Sequence, residues 1–93
     1  MFKKGQWVCG LCDNKQETYK WTYPGKVLDV NTYYVIFEIQ DSSGPYEAYR
    51  SHDSLRLATK RDFDRQILDV SKNIVSSEEI ISSLEEAQKY VSN

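Results

Sequence analysis

The hydrophobic pattern of the chain changes period once. Up to about residue 58, apolar and polar positions alternate in short runs broken by turn formers; from Thr59 onward, apolar residues recur every three or four positions. Gly5-Gln6-Trp7-Val8-Cys9-Gly10-Leu11-Cys12 is rich in β-branched, aromatic and small residues and predicts a first strand from about Gln6. A polar connection follows over residues 13–18, containing the turn formers Asp13 and Asn14. Residues 19–30 read as one long strand bent at Pro24-Gly25, because proline lacks the ladder N–H and glycine tolerates a kink. The short gap Asn31-Thr32 then favours an antiparallel hairpin with residues 33–39. In that third strand Tyr33, Val35, Phe37 and Ile39 share one face, and Tyr34, Ile36 and Glu38 the other. Asp41-Ser42-Ser43-Gly44-Pro45 is a strong turn signal, followed by a fourth strand over 46–50, a tight turn over 51–54 and a short closing strand over 55–58.

Beyond Thr59, Phe63, Ile67, Val70 and Ile74 form an i, i+4, i+7, i+11 series, with Leu68 widening the stripe and Asp62 in the first turn; a helix over 60–73 is predicted. Ser76-Ser77-Glu78-Glu79 has the form of a capping box, and Ile80, Leu84, Ala87 and Val91 repeat the helical spacing with Ile81 beside them. The fold class is therefore mainly β with C-terminal α: a five-stranded SH3-like barrel over 1–58, then two amphipathic helices over 59–93. The helices either pack on the barrel or serve as a dimerisation or docking element.

Composition narrows the functions. A chain of 93 residues suits one domain, and 12 basic against 14 acidic residues leaves a net charge of −2, with no bulk attraction to nucleic acid or anionic membrane. No apolar run approaches the roughly 18 residues of a membrane span, and residues 1–5 lack the apolar region of a signal peptide, so a soluble intracellular protein, nuclear or cytoplasmic, is expected. Cys9 and Cys12 form a lone Cys-x-x-Cys, readable as half a zinc site, a redox pair or two packing thiols. His52 is the only further candidate ligand, and Ser51, His52 and Asp53 are adjacent residues whose side chains point apart, which is no triad. Glu78, Glu79, Glu85 and Glu86 read as a solvated helix face. No phosphate loop, dinucleotide motif or His-x-x-x-His pattern occurs, so no enzyme, metal or cofactor is expected.

Four short pieces carry a family resemblance: Lys4-Gly5-Gln6-Trp7-Val8, Trp21-Thr22-Tyr23-Pro24-Gly25-Lys26-Val27, Tyr33-Tyr34-Val35-Ile36-Phe37 and Asp53-Ser54-Leu55-Arg56. Together they make residues 2–58 resemble the Tudor and Agenet modules of the Royal family. The resemblance implies an aromatic cage for a methylated lysine or arginine, held by cation–π attraction. Tyr23 and Phe37 match cage positions; where the family has a further ring this chain has Leu11 or Cys12, and Trp21, Tyr46 or Tyr49 would compensate from adjacent strands, with Glu38 or Asp41 as the negative partner. Tyr and Trp are also standard core and rim residues, and for any single ring packing is the first reading. Two functions follow: a module reading a protein or peptide, methylated or not, through an aromatic rim, or an assembly or nucleic-acid adaptor. The latter would use Lys15, Lys20, Lys26, Arg50, Lys60 and Arg61 as a basic patch, with Trp21 and Tyr23 as stacking rings, and the helices for a homodimer.

Overall fold

A computed structural model describes residues 2–12, 20–72 and 77–91. The 13–18 connection, Tyr19, Lys15, the 73–75 joint and the Ser76 end of the capping box lie outside the described residues. The elements are β1 (Trp7–Gly10), β2 (Gly25–Val30), β3 (Tyr34–Asp41), β4 (Gly44–Ser51), a 3₁₀ turn (His52–Ser54), β5 (Leu55–Leu57), α1 (Lys60–Val70) and α2 (Ser77–Gln88).

All strand pairs are antiparallel, in the order β4-β3-β2-β1-β5. β4 and β5 stand at the two edges of an open sheet, so the expected closure into a barrel is not reached. The 3₁₀ turn carries the chain from one edge to the other, and its Ser51 and Ser54 hydroxyls meet at 3.2 Å. The β2–β3 hairpin is held by Asn31, whose Oδ1 accepts from the N–H groups of Tyr33 and Tyr34 at 2.8 and 2.9 Å, an Asx turn. At the β3–β4 hairpin Asp41 Oδ1 accepts from Ser43 N–H at 2.7 Å, and Gly44 takes a φ of 110°.

The long bent strand is shorter than expected. β2 begins only at Gly25, and Trp21 makes a single bridge to Leu11. Pro24 has no N–H to continue the ladder, and its carbonyl accepts instead from the Gln66 amide at 3.0 Å. Gly25 serves close approach: a Cβ there would lie 2.6 Å from the Phe37 ring and 2.9 Å from the Glu38 carbonyl oxygen. The irregularity in β2 falls at Leu28, between the pairs Val27–Phe37 and Asp29–Ile36.

Period two in β1 divides the protein into two cores. Val8 joins Val27, Val35, Phe37, Ile39, Ala48 and Leu55 on the concave side of the sheet. Cys9, with Trp7 beside it, packs on the opposite side against Ala58, Phe63, Val70 and Leu84. The helices thus cover the outer face of their own sheet, and their apolar stripes are largely buried within the chain. Phe63 is fully buried, its ring edge-on to Trp7 at 5.3 Å. Leu68 departs from the expected stripe and is 67% exposed, because Gln66, fully buried, occupies an inward position.

Candidate functional site

At the end of the sheet where Trp21 and Tyr23 lie, the chain's own cations meet the rings. The Arg56 guanidinium carbon stands 4.7 Å from the Trp21 ring centre, and that of Arg65 stands 4.9 Å from the Tyr23 ring centre. Arg65 also donates to the Trp21 carbonyl at 2.9 Å. Next to it on α1, the Gln66 amide nitrogen donates to the carbonyls of Pro24 and Gln40, at 3.0 and 2.8 Å, and one turn on Asp69 accepts from Ser42 N–H at 3.2 Å. α1 is therefore laced across the start of β2 and the end of β3, over ring surfaces that the resemblance reserved for a ligand.

Arg56 is held by a two-pronged bond to Asp62 at 2.7 and 2.9 Å. Asp62 is also the third residue of a capping box with Thr59, whose N–H donates to it at 2.8 Å. Burial alone would raise the Asp62 pKa, but the hydrogen bonds from Arg56 and Thr59 and the Arg56 charge outweigh it and hold the carboxyl at about 2. The same bond raises the pKa of Arg56. Cys9 is pushed up to about 12 by burial, and further by the Asp62 charge. Because Cys9 faces the helix layer, it behaves as a small core hydrophobe. Among the described residues no group of three metal-binding side chains is gathered.

The expected site residues do not converge. Phe37 is fully buried in the concave core. Tyr46, opposite Ile39, lies on that same side and is 45% exposed. Glu38 and Tyr49 lie on the outer face, and Tyr49 stands opposite Ile36. Adjacent residues of a strand, and residues three apart, point to opposite sides, which separates Phe37 from Glu38 and Tyr46 from Tyr49. Of the basic residues, Lys20, Lys26, Lys60 and Arg61 are exposed, whereas Arg50 donates to the carbonyls of Leu11 and Tyr49 at 2.7 and 2.8 Å. His52 Nε2 is bonded to the Asn31 carbonyl oxygen at 2.7 Å.

The sheet's outer face offers a different surface. Beyond the part that the helices cover, β3 and β4 present Tyr34, Ile36 and Tyr49, with the Tyr34 and Tyr49 rings 5.9 Å apart. Tyr49 is 69% exposed, and Leu28 and Tyr34 are about two-fifths exposed. Where this face runs under α2 there is a pocket of about 250 Å³, lined by Trp7, Lys26, Glu38 and Gln40 from the strands and by Glu79, Ile80, Ser83 and Leu84 from the helix. Sequence reasoning put Tyr34 and Ile36 on the face of Glu38 and named Tyr49, but did not bring Trp7, Glu47 or Tyr49 to that face; the alternation of β4 carried the signal for Glu47 and Tyr49. Compared with protein-family models, curated proteins and solved structures, the chain matches none.

Proposed function

We propose that the chain is a non-catalytic binding module for a protein or peptide, a methylated lysine or arginine segment included, on a sheet of SH3-like, Tudor-like order. The observation that supports it is the uncovered aromatic face: two touching tyrosines with Ile36 between the strands, beside the open edge β4. Contiguous apolar surface of this kind on a small protein marks an interaction site, and Tyr adds hydrogen-bonding capacity to apolar area. Trp21 and Tyr23 are already engaged, Trp21 by Arg56 of β5 and Tyr23 by Arg65 of α1, which also donates to the Trp21 carbonyl.

A panel of trimethyl-lysine, dimethyl-arginine and unmodified peptides, titrated while amide resonances are followed, tests the reading. Shifts should gather on Tyr34, Ile36 and Tyr49, and Tyr49→Ala should weaken binding roughly tenfold while leaving the fold intact. Short DNA and RNA form the counter-probe, since phosphate binding falls steeply with added salt. Peptide affinity unchanged by Tyr49→Ala would refute this site.

A further inference from the structure

Side chains of the outer face stand in rows across the strands. One row runs Trp7, Lys26, Glu38, Glu47 through β1, β2, β3 and β4, and the next runs Asp29, Ile36, Tyr49. Glu38 and Glu47 are therefore directly opposed, side by side on one surface, an arrangement that destabilises a sheet by like-charge repulsion. No hydrogen bond or ion pair engages either carboxylate among the described residues, and Lys26, across from Glu38, makes no ion pair with it. Glu79 adds a third carboxylate from α2, lining the same pocket as Glu38. Gln40, also in that lining, has a buried Oε1 that accepts no hydrogen bond. Asp29 is accompanied by Lys4 at 3.8 Å, so among the described residues of these rows and the pocket lining the excess of negative charge lies at Glu38, Glu47 and Glu79, against Lys26.

Resting on the binding-module reading, we infer that this face takes an extended basic peptide segment. A lysine or arginine side chain lies between Glu38 and Glu47 and reaches toward Glu79, and a neighbouring apolar residue packs on Ile36 and Tyr49. The chemistry is complementary on each count. A cation turns the opposed glutamates from a repulsive pair into two acceptors for its N–H groups, and the tyrosines cover the apolar residue. A nucleic acid is disfavoured here, since its phosphates would meet three carboxylates.

The test uses the full chain and capped pentapeptides of one sequence, in which the two positions flanking a central valine are lysine, glutamine or glutamate. The lysine peptide should bind at least tenfold more tightly than the glutamine peptide, and the glutamate peptide should not bind. Glu38→Gln and Glu47→Gln should each raise the thermal midpoint of the free protein, by relieving the opposed charges. Each should also lower affinity for the lysine peptide about tenfold while leaving the glutamine peptide unaffected. If lysine and glutamine peptides bind alike and both weaken in Tyr49→Ala, the module reading stands and this inference falls. If no peptide in this series or in the wider panel shifts the face, both fall.

Discussion

Replacing Phe63 by alanine probes how the two layers depend on each other. The ring is fully buried between α1 and β1, stacked edge-on against Trp7, and shares its cluster with Cys9, Ala58, Val70 and Leu84. Emptying such a position costs about 3–5 kcal/mol, a large part of the about 5–15 kcal/mol that holds a small domain together. Because β1 feeds both cores, the loss should be felt on the concave side as well. Amide hydrogen exchange reads this directly. The protection of Val35 and Phe37, at the centre of β3, should fall by roughly two to three and a half decades together with that of Leu84 in α2, since about 1.4 kcal/mol is one decade. Denaturant unfolding should show one transition at a lower midpoint, followed equally by tryptophan fluorescence and far-ultraviolet circular dichroism. If the helix amides lose protection while the β3 amides keep theirs, the helices are a separable appendage and the reasoning fails.

Acid should weaken the protein through Asp62. Its carboxyl is held at about 2 in the fold, below its unfolded value near 4, so its contribution is complete above about pH 4 and is lost as the pH falls toward 2. The loss should be roughly 1–2 kcal/mol once solvent screening around Arg56 is allowed for. Asp62→Asn should flatten that part of the stability–pH curve; an unchanged slope between pH 4 and 2 would contradict the assignment. Cys9, buried and with its thiol pushed up to about 12, should react with iodoacetamide only as fast as the protein unfolds, as peptide mapping will show; labelling under native conditions faster than unfolding would contradict its burial.

The legible part of the sequence was local. The change of period at Thr59 placed both helices, alternation sorted Val35, Phe37 and Ile39 from Ile36 and Glu38, and Asn31 announced its hairpin. The tight turn after β4 was also readable. What escaped was long-range. Trp21 and Tyr23 have the spacing of a rim, but nothing nearby in sequence says that Arg56 and Arg65 will lie against them. Gln66 reads as a surface residue until the carbonyls of Pro24 and Gln40 are brought to it. Closure of the sheet depends on the distance between its edges, which no strand pattern encodes. The capping box at Thr59-x-x-Asp62 and the opposed parity of Tyr46 and Tyr49 were visible signals, and strand alternation alone suffices to keep those two tyrosines from sharing a cage.

The division of β1 between two cores bears on how such a chain can change over generations. One residue gained or lost between Trp7 and Cys9 would exchange the faces of the strand, sending the indole into the concave core and Val8 beneath Phe63, so both layers would be wrong at once. A residue gained at Ser42-Ser43, in an exposed two-residue loop, alters only the tip of one hairpin and the contact with Asp69. Insertions and deletions compatible with this fold should therefore gather in its turns and spare four consecutive positions near its beginning, Trp7–Gly10.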